Sequence, residues 1–316
     1  MQRSAIKAHN LKVGGSNPPF ATTCRNIVQN GTEPLIVTIY FSRVYYYIIE
    51  NKSQISLIMS YRASFLTYIV GNYELVHEVE FKTPDCQYVL VTDNHSLTSS
   101  TWDVKYVDNP HPEDPFDLCY KIRFNPFDYV DSDIVIRCDG SMIPCGDFSP
   151  VLDMFEKDNY DMMLSIHPTR NTIFDERCAW VQSRGMEVEQ ANRVLSFLAM
   201  MEGYDVKNHK GLYQMNLQIE RKNRVNLLAN EMTRTLLKYL AADGKQTERC
   251  DQDVFSFVIN KYFNNIKILP VSQLVSTSGK YFRWCSHGTD KAFADAGDYN
   301  QPYLFNQPIN TIYVGE

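Results

Sequence analysis

The chain has no Cys-x-x-Cys pair, no block of consecutive Lys and Arg, no uncharged apolar run of membrane-spanning length, and no internal repeat or low-complexity segment. Its eight cysteines, at 24, 86, 119, 138, 145, 178, 250 and 285, are scattered and mostly sit inside apolar runs. That usage argues against a zinc knuckle or a disulfide frame and fits reduced core thiols in a cytoplasmic protein. A formal charge of −6 without a basic block argues against a nucleic-acid platform, whose affinity rests mainly on phosphate neutralisation. A local basic pocket for a small anion stays compatible with it. Pro34 to Ile49 is apolar and aromatic, but it is short and Arg43 interrupts it, whereas a span needs about 20 residues. No charged segment leads into an apolar run and a cleavage site at the extreme N-terminus. Neither an integral span nor a targeting peptide is therefore expected, and peripheral contact with the inner membrane face stays open.

What is present suffices for a sizeable core: 316 residues, 44% hydrophobic and 13% aromatic. Residues 1–58 stand apart in charge. Of the 31 basic and 37 acidic residues, six (Arg3, Lys7, Lys12, Arg25, Arg43, Lys52) and two (Glu33, Glu50) fall there, so the sign of the charge flips at the boundary. Gly15-Ser16-Asn17-Pro18 can be coded by GGT-TCG-AAT-CC, which reads as the T-arm sequence of a transfer-RNA gene. The expectation is that translation has been drawn through such a gene and a spacer, and that the natural protein begins at Met59. Residues 1–58 are then a non-native or disordered extension, 59–300 a single domain, and 301–316 a tail.

From Met59 the pattern becomes regular. Phe65 to Val70, Tyr88 to Thr92, Asp133 to Asp139 and Met162 to Ile166 read as strands, each ending in turn chemistry, and Tyr213 to Glu220 alternates like another. Glu187 to Glu202, Asn226 to Ala242 and Asp253 to Phe263 read as helices, with apolar stripes that are core. Strands alternating with helix-length connections predict a mostly parallel, doubly wound α/β sheet flanked by helices. The chain is organised around Asp133 to Ser141, where the β-branched run Ile134-Val135-Ile136 fits a central strand. Asp139 falls at its carboxyl end, where the ligand crevice of an open α/β sheet lies, and Gly140 permits a sharp turn. An Asp that merely starts a turn is the competing reading.

Several stretches together resemble the mucilage-related glycosyltransferase-like family of plants and bacteria. They are Tyr68-Ile69-Val70-Gly71-Asn72-Tyr73, Thr92-Asp93-Asn94 with Thr101-Trp102, Asp139-Gly140-Ser141, His167-Pro168-x-Arg170, Tyr213-Gln214-Met215-Asn216 and Asp251-Gln252, in that order. The resemblance covers about residues 61 to 263. It implies a GT-A-like nucleotide-diphospho-sugar transferase fold, with the donor at the carboxyl edge of the sheet and a saccharide acceptor. A UDP-sugar is the favoured donor, and surface polysaccharide or glycolipid synthesis the favoured setting.

On that reading Tyr68 and Gly71 meet the base by stacking and close approach, and Asp93 accepts from a ribose hydroxyl or a base imide, unless it only caps a turn. Lys121 and Arg123 are the upstream cations that could hold phosphate. Asp139, Gly140 and Ser141 occupy the place of an Asp-x-Asp that would bind Mn²⁺ or Mg²⁺, with the second carboxylate missing. Asp131-Ser132-Asp133 spells the motif at the wrong edge. His287, in a segment that loosely resembles the close of the glycogenin-like family, is a candidate second metal ligand, against the reading of a surface loop His. His167 and Arg170 would face the donor sugar or the acceptor, and Asn216 would hydrogen-bond the sugar. Asp251 and Gln252 would lie beside the donor sugar in a retaining mechanism. Glu176 and Asp175 are the candidate bases in an inverting one. The alternatives are a sugar-nucleotide-binding protein without transferase activity and, last, a nucleotidyltransferase, since no Gly-rich triphosphate loop follows the first strand.

Overall fold

A computed structural model describes residues 61–167, 169–201, 203–209, 211–241, 250–271 and 280–285. The readings of 1–58 and 301–316, and of His287, lie outside these residues. Seven strands form the main sheet in the order β3-β2-β1-β4-β7-β6-β8. They are β1 (Ala63–Ile69), β2 (Cys86–Thr92), β3 (Asp103–Tyr106), β4 (Ile134–Cys138), β6 (Met162–Ile166), β7 (Tyr213–Arg221) and β8 (Ile268–Val271). All neighbours pair in parallel except β7, which runs antiparallel to both β4 and β6. A small antiparallel sheet joins β5 (Met142–Pro144) to β9 (Phe282–Trp284). The fold is α/β with a mostly parallel sheet, compatible with a Rossmann-like arrangement.

Six helices accompany the described sheet: α1 (Pro115–Phe124), α2 (Ser149–Lys157), α3 (Ile173–Arg184), α4 (Val188–Met200), α5 (Arg224–Ala241) and α6 (Asp251–Tyr262). The first three were not read from sequence, and each begins at a local signal. Pro115 occupies the first turn of α1, where its missing N–H costs nothing. The Asp147 carboxylate accepts from the Ser149 N–H at 3.0 Å where α2 begins. Thr172 and Asp175 form a capping box on α3, each side chain accepting from the other's backbone N–H at 3.0 and 3.1 Å. Asp175 is therefore a capping residue, a correction to its reading as a candidate base.

The two faces of the sheet differ. On one, Phe65, Tyr88, Leu90, Ile136, Met163 and Ile219 pack against Val151, Leu152 and Phe155 of α2. Phe65 and Tyr88 are register partners, and their rings stack at 4.5 Å. On the other, α1 covers Leu66, Tyr68, Val89, Val91 and Val135, while α3 to α6 build a separate cluster over Met162 and Leu164. Between these clusters β4 and β7 present polar side chains. Arg137 Nη2 lies 3.3 Å from Glu220 Oε2, which accepts from Asn230 Nδ2 at 3.0 Å. All three are buried. Burial lowers the Arg137 pKa and raises that of Glu220. Arg137 also donates to the Arg123 carbonyl, so this seam ties the last turn of α1 to the sheet.

Candidate functional site

The carboxyl ends of β1, β4 and β6, the entering end of antiparallel β7 and the first turn of α6 meet around a cavity of about 270 Å³. This is the crevice position of open α/β sheets. Tyr68, Gly71, Arg123, Asp139, His167, Arg170, Glu176, Asn216, Asp251 and Gln252 all line it. Ten residues singled out from scattered stretches of sequence are thus gathered in one place.

Arg123 organises one wall. Its Nε donates to the Tyr68 hydroxyl at 2.6 Å, Nη2 to Asp139 Oδ1 at 2.7 Å, and Nη1 to Asp251 Oδ2. The guanidinium also sits 5.6 Å from the centroid of the Tyr68 ring. Burial pushes the Tyr68 pKa up, so the phenol stays protonated. A second ionic line runs along the side that α3 forms. Arg170 Nε lies 2.6 Å from Glu176 Oε2, Glu176 Oε1 accepts from the Trp180 indole at 2.8 Å, and Arg177 Nη2 lies 2.5 Å from Asp253 Oδ2. Burial, with Glu176 and Asp251 nearby, raises the Asp253 pKa against the pull of Arg177. His167 is only 4% exposed, and desolvation with the Arg170 charge holds its pKa down to about 3. The imidazole is neutral.

Gln214, Met215 and Asn216 are consecutive, yet all three line the cavity. A regular strand would send the middle one to the opposite face. The register of β6 on β7 jumps between Leu164 opposite Gln218 and Ser165 opposite Gln214, and this irregularity turns the segment toward the pocket. The Asn216 carbonyl accepts from the Asp139 N–H at 2.9 Å, fixing the segment beside the end of β4. Its side chain is 6% exposed, and both amide atoms lack a hydrogen-bond partner among the described residues. An unpaired buried amide is costly, so a polar atom brought to it would be bound favourably.

Besides Asp175, four candidates fall outside the cavity. Asp93 accepts from the Gly71 N–H and from Asn109 Nδ2, both at 2.9 Å, and so braces the turn after β1, where Gly71 has a φ of 68°. Lys121 is exposed on the outer side of α1. A Cβ on Gly140 would come within 3.2 Å of Glu74 Cγ, so this glycine serves close packing beneath β1. Ser141 is buried, and its hydroxyl accepts from the Trp284 indole at 3.1 Å. Its part is to hold Trp284, which does line the pocket.

The sequence reading missed the aromatic lining. Tyr73, Phe116, Tyr120, Trp180 and Trp284 all contribute, including two of the three tryptophans in the chain. Tyr73 closes a quoted motif without having been given a role, but nothing in the spacing of Trp180 or Trp284 marks them, because they arrive on α3 and on the small sheet. The charged lining is balanced, with Arg123, Arg170 and Arg177 against Asp139, Glu176 and Asp251.

These donors do not fit the Mn²⁺ or Mg²⁺ that the resemblance implies. A hard divalent cation takes several oxygen ligands, whereas Asp139 and Asp251 both face the Arg123 guanidinium. No group of three or more His, Cys, Asp or Glu among the described residues is placed to hold a metal. Asp131 and Asp133 precede β4 and lie at the other edge of the sheet. Among the described residues no helix is long and apolar enough to cross a membrane. Compared with family models and with curated proteins, the chain finds a match in neither.

Proposed function

We propose that the chain is a GT-A-like glycosyltransferase that moves a hexose from a nucleotide-diphosphate sugar to a saccharide acceptor, in surface polysaccharide or glycolipid synthesis. The observation that carries this reading is the convergence at the carboxyl edge of a guanidinium, an unpartnered buried amide and several aromatic rings. Aromatic faces suit a base or the apolar face of a pyranose, an arginine fork suits phosphate oxygens, and an amide supplies both donor and acceptor to a sugar hydroxyl. The cavity volume sits near the lower end of small-molecule sites, about 300–1,000 Å³. The described walls therefore enclose part of such a donor.

The candidate bases are engaged. Glu176 is held by Arg170 and Trp180, and Asp175 caps α3. That favours a retaining course, with Asp251 and Gln252 beside the anomeric carbon. A non-catalytic sugar-nucleotide-binding protein is the second reading, favoured by the ion pairing of Asp139 with Arg123 and by serine at position 141. The experiment is turnover and binding with UDP-, ADP-, GDP- and CDP-sugars in wild type and Asp139→Asn. Transfer or slow hydrolysis by wild type, lost in the variant while binding persists, is the expected result. A wild type that binds a donor and never turns it over establishes the binding protein instead.

A further inference from the structure

Resting on that nucleotide-diphosphate reading, we infer that Arg123 is the resident cation of this pocket and that it holds the diphosphate without a divalent metal. The place where two carboxylates converge is already filled by a guanidinium. Asp139 and Asp251 approach it from β4 and α6, and the Tyr68 hydroxyl takes its Nε–H. The backbone is fixed as well, since Arg137 donates to the Arg123 carbonyl. A metal ion on Asp139 would face this positive head at short range, and moving the head away would break both ion pairs within a mostly buried site.

The same contacts leave Arg123 equipped for an anion. Nη1 and Nη2 each spend an N–H on an aspartate, and each terminal nitrogen keeps a second N–H. Two N–H groups of one guanidinium can meet two phosphate oxygens, and Arg123 lines the cavity. Asp139 and Asp251 then act against the ligand, because they draw on the same cation and carry its charge. Removing one of these charges should tighten diphosphate binding. A metal-bridged site behaves in the opposite way, since loss of Asp139 removes the metal's anchor.

The test uses the full chain and measures dissociation constants for UDP, ADP, GDP, CDP and inorganic pyrophosphate, each in EDTA and in Mn²⁺. At least one nucleoside diphosphate should bind equally in both conditions. Arg123→Gln should weaken it roughly ten- to a hundredfold, the range of one charge-assisted hydrogen bond, and Asp139→Asn should bind it as tightly or more tightly. If Arg123→Gln fails to fold, the sign of the Asp139→Asn effect still decides. Binding that needs Mn²⁺ and disappears in Asp139→Asn overturns the inference and leaves the nucleotide reading standing. Absence of binding to every probe in both conditions overturns the two together.

Discussion

At the scale of single residues, His167 shows how the site sets a protonation state. The Arg170 N–H points at Nδ1 from 3.1 Å, which makes that nitrogen an acceptor. The Arg170 guanidinium Nε–H points at the other ring nitrogen, Nε2, also from 3.1 Å, so donors of one residue face both sides of the ring. Adding a second proton would place two cations together in a buried site, and the pKa accordingly falls from 6.5 to about 3. The unfolded chain therefore binds more protons than the folded one between these values. The resulting stability is complete above pH 6.5 and is lost as pH falls toward 3, by up to about 1.4 kcal/mol per unit. His167→Gln should lose stability less steeply than wild type between pH 7 and pH 5, as urea midpoints at each pH would show. Parallel slopes would mean that the ring is not held neutral.

At the scale of elements, α3 is the piece on which most of one wall depends. It carries Glu176, Arg177 and Trp180, and its first turn is fixed by the Thr172–Asp175 capping box. Thr172→Ala should cost about 1 kcal/mol of stability, the usual worth of such a cap. Urea denaturation measures it, and a change of a few tenths or less would show that the box contributes little. The irregularity of β7 is the other decisive element. It bends a strand whose sequence alternates regularly and brings three consecutive residues to the pocket. The apolar pattern of Tyr213 to Glu220 reveals the strand and is silent about the bend, because the bend arises from pairing with β6.

At the scale of the whole molecule, the Arg137–Glu220–Asn230 seam joins two apolar clusters on one face of the sheet. Glu220→Leu would leave the buried Arg137 without its counter-charge and should destabilise by about 3–5 kcal/mol. Arg137→Met combined with Glu220→Leu should recover most of that loss, since an apolar pair removes the desolvation penalty along with the attraction. Equal destabilisation in the single and double variants would show that Arg137 matters for its hydrogen bond to α1. In that event the double variant should also weaken ligand binding through Arg123.

Five of the nine described strands, the two long apolar stripes of α4 and α5, and the polar residues at strand ends were legible in the chain, whereas β3, β5, β8 and β9 were not. Period-two and period-3.6 patterns report burial directly, and a carboxylate or glycine ending an apolar run marks the edge of a sheet. Gly71, Asp139 and His167 reach the cavity for that reason, whereas Arg123, Glu176, Asn216, Asp251 and Gln252 lie on helices or within β7 and were singled out through the resemblance. The partners of those residues were not legible. Whether Asp139 faces a metal or Arg123, whether Asp93 meets a ligand or braces Gly71, and whether Ser141 binds or merely supports Trp284 depend on side chains brought together from distant parts of the chain. The sequence by itself determined that Gly71, Asp139 and His167 stand where strands end at the carboxyl edge. Only the tertiary structure decided which of them are already paired there, because pairing follows from distances in space that no local pattern encodes.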